Sequence, residues 1–510
     1  MSFQSRYRFS AAWLPDGWRR NVVISVDPAG DIVDVSPDDV VTTARLINGA
    51  AIPGMPNVHS HAFQRSMAGL AERRTAHSDK GDSFWTWRET MYEHASRMSP
   101  ECLNAVAAQC YADMLKAGYT AVCEFHYLHN QPDGTPYAER AAMSQALIDA
   151  AATAGIGLTL LPTLYQTADF GGVEPTARQR QFVLATDQYL DLVDDLSRAQ
   201  SPQVEIGVAL HSLRAVPPDA MRTVLTSLPA IKTIHIHVAE QEREVAAAQQ
   251  HLHARPIEWL LEHARVDRRW CLVHATHSTH AELKAVAATG AVVALCPTTE
   301  ANLGDGIFAL PAWLAAGGTF AIGSDSHISL SPIEELRWLE YEARLATKHR
   351  NVLATHDEVS TGAMLWRHAC AAGTRATARN IGAIEAGRRA DIVVIDTNSP
   401  LFAGRDEDEL IDTFVFSGTG HEVRDVMVAG RWLVQEGRHS AETAIAVNYK
   451  RAKHRILERI AHECPHTTRR RSPPRCPPGA RAARHAAHRE ELADRSSAAH
   501  ADEQSRSRSR

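Results

Sequence analysis

Residues 51–65 read AIPGMPNVHSHAFQR. An apolar run punctuated by Pro and Gly ends on two histidines spaced two apart, with Gln64 close behind. On a β-strand, residues i and i+2 project to the same face. His59 and His61 are therefore expected side by side at the end of a strand, within reach of one small object. An isolated H-x-H is more often a structural pair than a ligand pair, so its meaning rests on the rest of the chain.

The rest of the chain has a rhythm. Strand-like runs recur at 119–127, 156–164, 204–211, 233–240, 270–276, 291–297 and 319–326, eight in all with 51–59. Amphipathic stretches lie between them, such as 100–118, 140–155 and 280–290, each closing on a Gly that acts as a helix stop. Repeated strand-then-helix units predict an α/β fold, a (β/α)8 TIM-like barrel over 51–381. Residues 1–50 and 382–447 have a different character, with short β runs and turn signals in "VVISVDPAGDIVDV" and "VRDVMVAGRWLVQEG". They predict a small β-sandwich formed by both termini, with the barrel inserted between its halves. A terminal helix is expected over 448–463.

Composition narrows the class. Of 510 residues, 44% are apolar and 22% charged, as in a soluble globular protein. No stretch reads as a signal peptide or a membrane span. The eight cysteines are scattered without a C-x-x-C pair, which suggests reduced thiols in a cytoplasmic protein. Charge is split: Pro465–Arg510 holds 11 Arg against 5 acidic residues, a balance of +6, whereas 1–464 carries −12. The segment 464–510 is Arg/Ala/Pro/Ser-rich without apolar periodicity, and is expected as a disordered basic tail. It has no aromatic residue on which a base could stack, so no nucleic-acid partner is expected.

Barrel enzymes carry their chemistry at the C-terminal ends of the strands. Those ends hold His59 and His61, then His211, then His237 and Glu240, then His274, and finally Asp325. Three histidines and a carboxylate (His59, His61, His237 and Asp325) suit a borderline divalent cation such as zinc. Such a metal lowers the pKa of bound water. Glu240, three residues after a ligand, is placed to protonate a leaving group, and His274 to act as base or electrostatic partner at the nucleophile. Asp325 is expected to share this proton traffic. His235, deeper in its strand, reads as a core histidine, and His277 and His327 as rim residues or as supports behind the ligands rather than ligands themselves. A two-metal site would call for a bridging lysine at the end of the fourth strand, and "EIGVALHSLR" has none, which favours one metal.

The H-x-H, the H-x-x-E of "HVAEQ", the sixth-strand His and "GSDS" resemble the amidohydrolase superfamily, specifically its mononuclear deaminase branch. The longer strings "PGMPNVHSHAFQRSMAGLAERR", "DSFWTWRETMY", "EFHYLH", "LHSLRAV" and "GSDSHISLSPIEELRWLEY" resemble the formimidoylglutamate deiminases, over roughly residues 7–455. The resemblance implies hydrolytic deamination of N-formimino-L-glutamate to N-formyl-L-glutamate and ammonia in histidine degradation, by a homodimer. Such a substrate has two carboxylates at one end, which arginine's planar fork suits. Arg88 and Arg214 match the family's glutamate-holding positions, and Gln64, Tyr127 and His211 its remaining polar contacts. Two rivals differ in what they leave idle. A deaminase of a nucleobase or nucleoside would give both arginines no partner. A catalytically inactive scaffold would have no reason to keep Glu240 and His274 beside four ligands.

Overall fold

The quoted run divides at Gly54. In the computed structural model, which describes residues 5–37, 43–73, 82–228 and 231–463, residues 51–53 end a strand, Arg45–Pro53, of the terminal sheet. The barrel begins as β1 at Met55–Ser60. Its other strands are β2 (Tyr119–His126), β3 (Gly157–Leu164), β4 in two pieces (Val204–Ile206 and Val208–Ser212), β5 (Ile234–Val238), β6 (Trp270–His274), β7 (Val292–Leu295) and β8 (Thr319–Ile322). They pair in parallel in chain order. The ring closes where Ser60 bridges Asp325: the Asp325 N–H donates to His59 O at 3.0 Å, and the His61 N–H to Asp325 O at 3.1 Å.

Strands covered on both faces are apolar throughout rather than alternating, and β2 and β3 are buried at every position. β4 breaks at Gly207, where a Cβ would lie 2.5 Å from Thr233 Cγ2 and 2.6 Å from Leu161 Cδ2. Only glycine permits that approach of neighbouring strands. The helices Pro100–Ala117, Ala142–Ala154 and His280–Thr289 stop as expected at Gly118, Gly155 and Gly290, each in the left-handed region.

The two termini combine in one eight-stranded sheet. Ile392–Ile395, from the C-terminal side, pairs antiparallel with Arg45–Pro53, so that Ile392 faces Pro53 and Val394 faces Ala51. The sheet curls over a core of its own: the rings of Tyr7 and Trp432, on strands four apart in the sheet, lie 5.5 Å from each other. The small β-domain expected from both termini is thus present, its strands joined in one curled sheet. Ile392 and Val394 enter its small core, whereas Val393 and Ile395 join the larger core that includes the barrel, a direct use of the strand's period of two.

The terminal helix is longer than expected and spans Glu442–Glu463. The chain up to Ile456 is one compact unit, and the described residues beyond it are helical. The expected tail, 464–510, lies outside the described residues. No helix among the described residues is long and apolar enough to cross a membrane, and the six described cysteines are buried and free.

Candidate active site

The carboxyl ends of β1, β5, β6 and β8 meet at one point. His59 Nε2 lies 3.0 Å from His237 Nε2 and 3.3 Å from Asp325 Oδ1. His61 Nε2 lies 3.3 Å from the same Asp325 oxygen. His59, His61 and His237 present donor atoms that all fall within 4.8 Å of one another, and all are buried. Two of the outward nitrogens are fixed: His61 Nδ1–H donates to Phe125 O and His237 Nδ1–H to His211 O, each at 2.9 Å. That sets the tautomer and turns the Nε2 lone pairs toward the common point. Burial lowers the pKa of His59, His61 and His237, the first and last well below the ordinary value, with neighbouring imidazoles adding to the effect at those two. Three neutral imidazoles facing each other beside a carboxylate, with lone pairs nearly in contact, are a donor set that a divalent cation satisfies.

Backbone geometry supports the meeting point. Ala239, His274, Ala275, Asp325 and His327 all have positive φ, between 42° and 68°. Left-handed backbone at non-glycine residues is costly and persists where the surroundings over-determine it, commonly at active sites. Here it turns the chain sharply just after β5, β6 and β8.

His274 is surrounded by acids. Its Nδ1–H donates to Glu300 Oε1 at 3.0 Å, while Nε2 faces Glu240 Oε1 at 3.7 Å and Asp325 Oδ2 at 3.8 Å. Burial works against its charge, but Glu240, Glu300 and Asp325 outweigh it and hold the pKa up to about 10. Of the two roles expected for His274, this environment favours the cationic electrostatic partner. Glu240 goes the other way. Burial, helped by Glu244 and Asp325 and opposed by His274 and Arg214, pushes its pKa up to about 7, which suits a proton donor near neutrality.

A cavity opens from this centre. His61, His237, His274, Glu240 and Asp325 line one part of its wall, Gln64, Arg88, Tyr127, His211 and Arg214 another, and Tyr92, Tyr165 and apolar side chains complete it. Every expected site residue except His59 thus reaches the cavity, and His59 sits directly behind it. Among the described residues, Arg88 Nε and Nη1, Arg214 Nε and Gln64 Oε1 are buried without a hydrogen-bond partner. Buried polar atoms are normally paired, so two idle guanidiniums mark a place for an anion. Gln64 Nε2 donates to the Tyr127 hydroxyl at 3.1 Å.

The lesser histidines behave as structural groups. His235 is buried and bonds Thr233 Oγ1 and Ala376 O. His277 Nε2–H donates to Asp305 O at 2.8 Å. His327 is fully buried and links Ser60 Oγ to Ser324 Oγ.

Sequence reasoning missed Glu300, Trp85, Tyr92 and Tyr165. Glu300 sits in the short helix after β7 and also accepts from the Cys296 N–H; an acid just past a barrel strand was its available signal. Trp85, Arg88 and Tyr92 share one face of the helix Phe84–Ala95 at spacings of three and four, which was readable as a stripe but not as a pocket wall.

Comparison with known proteins agrees with this geometry. The amidohydrolase family model matches residues 50–433. Formimidoylglutamate deiminase of Pseudomonas aeruginosa is 49% identical over 84% of this chain and 95% of its own. A 5-methylthioadenosine/S-adenosylhomocysteine deaminase of Natronomonas pharaonis is 25% identical over 79% of this chain and 85% of its own. Among solved structures, an amidohydrolase from Brucella melitensis superposes with a TM-score of 0.83 at 42% identity, covering 89% of this chain and 100% of that one. The chain belongs to the amidohydrolase family.

Proposed function

We infer that the protein hydrolyses N-formimino-L-glutamate to N-formyl-L-glutamate and ammonia. The observation that carries this reading is the pairing, in one cavity, of a His/Asp centre with two arginines, Arg214 buried and Arg88 half-buried, whose buried guanidinium nitrogens have no hydrogen-bond partner among the described residues. The likeness to a formimidoylglutamate deiminase supports it.

His59, His61, His237 and Asp325 are the residues we assign to hold one divalent metal, most simply zinc. When bound, it supplies a Lewis acid that makes water a nucleophile near neutral pH. Arg88 and Arg214 take the two carboxylates of the substrate, which leaves the formimino carbon toward the histidines. Gln64, Tyr127 and His211 supply further polar contacts to the chain between. Asp325, with one oxygen toward His59 and His61 and the other toward His274, accepts a proton from the attacking water. The oxygen adds to the formimino carbon, and the His274 imidazolium stabilises charge that develops there. Glu240 donates its proton to the imino-derived nitrogen. Asp325 passes the proton it took from water to the same nitrogen, and the hydroxyl of the tetrahedral carbon returns a proton to Glu240 as the C=O forms. The carbon–nitrogen bond breaks, ammonia departs, and the formyl group stays on glutamate.

The same reading includes a homodimer working in the cytoplasm, which sedimentation and fractionation test. For the activity, ammonia release by the zinc-loaded protein is followed with N-formimino-L-glutamate, guanine, cytosine and 5′-methylthioadenosine in parallel. Release from the first alone is expected. Turnover of a base or nucleoside in its place would overturn the substrate assignment.

A further inference from the structure

Three guanidiniums gather around one indole. Arg243 Cζ lies 4.2 Å from the centroid of the Trp85 ring, Arg88 Cζ 4.4 Å and Arg214 Cζ 5.8 Å. Arg88 also lies 5.5 Å from the Tyr92 centroid. Among the described residues none of the three guanidiniums makes an ion pair or hydrogen bond. Arg88 and Arg214 line the cavity, whereas Arg243 is exposed on the first turn of the helix Glu242–Leu252. The positive end of a helix disfavours a cation, and three like charges around one ring repel one another. The negative face of the indole offsets part of that repulsion, Glu244 and Glu240 offset part of the charge of Arg214, and a dianion would offset more of it at Arg88 and Arg243.

We propose that Arg243 and Trp85 form an outer capture station for the dianionic substrate. Trp85 is a positioning residue: its ring holds Arg88 and Arg214 in the orientation that receives two carboxylates. Arg243 is a specificity residue that extends the positive field into solvent, where it raises the rate of encounter with dianions over monoanions and neutral molecules. This inference rests on the substrate class proposed above. It goes further by adding a third cation to two carboxylates, with the surplus charge facing water.

Two measurements test it on the full-length, zinc-loaded protein. In steady-state kinetics with N-formimino-L-glutamate, Arg243→Gln is expected to lower kcat/KM about three- to tenfold at low ionic strength, with the loss concentrated in KM, and to converge on wild type at high salt as screening removes the field. Trp85→Leu is expected to raise KM at all salt concentrations, and Trp85→Phe, which keeps a ring, to restore most of the loss. In calorimetry, glutarate dianion is expected to bind Arg243→Gln and Trp85→Leu more weakly than wild type. An Arg243→Gln enzyme equal to wild type at low salt, or impaired equally at all salt concentrations, would overturn the capture role. Trp85→Phe as defective as Trp85→Leu would overturn the positioning role. Wild-type protein that binds glutarate in this residue-dependent way without releasing ammonia would support the station and sink the proposed reaction.

Discussion

Replacing His237 by Asn removes one of three Nε2 atoms that face a common point, together with the hydrogen bond from His237 to His211 O. The variant is expected to lose its metal, which elemental analysis after dialysis reads directly. Glu240 gives a pH signature. Its pKa stands at about 7, raised chiefly by burial, and the protonated form is the donor. The acid is present below that value and depleted as pH rises through it, so kcat should fall on the alkaline side of about 7. Glu240→Gln should lower kcat about 10²- to 10⁴-fold and flatten that limb, with metal content unchanged. Arg88→Met and Arg214→Met should act mainly on KM, about tenfold or more each, again with full metal. At this scale much was legible: H-x-H, H-x-x-E and the final Asp carry their chemistry in their spacing. Glu300 was not, because its role comes from a hydrogen bond to His274 that only the closed barrel creates. Trp85 was not, because a tryptophan on a helix reads as core until three arginines from separate segments are seen around it.

Among the elements, β1, β2 and β8 are tied by a buried polar chain. Ser60, lying between His59 and His61, donates from Oγ to Glu124 Oε2 at 2.5 Å. Glu124 also accepts from the Ala62 N–H at 2.7 Å and from the Tyr111 hydroxyl at 3.1 Å. His327 continues the chain from Ser60 to Ser324, which accepts from Asn57 Nδ2 at 2.6 Å. Residues at both ends flank His59, His61 and Asp325, so the chain fixes the distance between ligand-bearing strands. Glu124→Gln keeps the shape but changes who can donate and accept. Its metal affinity is expected to fall about 10- to 100-fold, as for other groups that orient ligands, measured by competition with a chelator. Strand ends were readable because apolar runs stop where polar side chains must reach the cavity. The division at Gly54 was not, since residues 51–59 are uniformly buried and apolar continuity hides a passage from one sheet to another.

At the scale of the whole molecule, the terminal sheet carries none of the assigned ligands or proton carriers; these run from His59 to Asp325, all within the span matched by the family model. A chain ending at residue 463 is therefore expected to keep its turnover per bound metal within about twofold, and a larger loss would give the last segment a role in the reaction. The barrel was legible from its eight-fold rhythm. The curl of the terminal sheet was not, because it depends on pairings between residues hundreds of positions apart, such as Ile392 with Pro53. What the whole molecule brings together, on the proposed reading, is a His/Asp cluster able to hold a metal and a pair of arginines in one cavity. The structure of the zinc-loaded protein with N-formyl-L-glutamate bound measures that directly. Both carboxylates are expected on Arg88 and Arg214, and the formyl group against the histidines and Glu240. A product bound the other way round, with a carboxylate on the metal and the formyl group among the arginines, would contradict it.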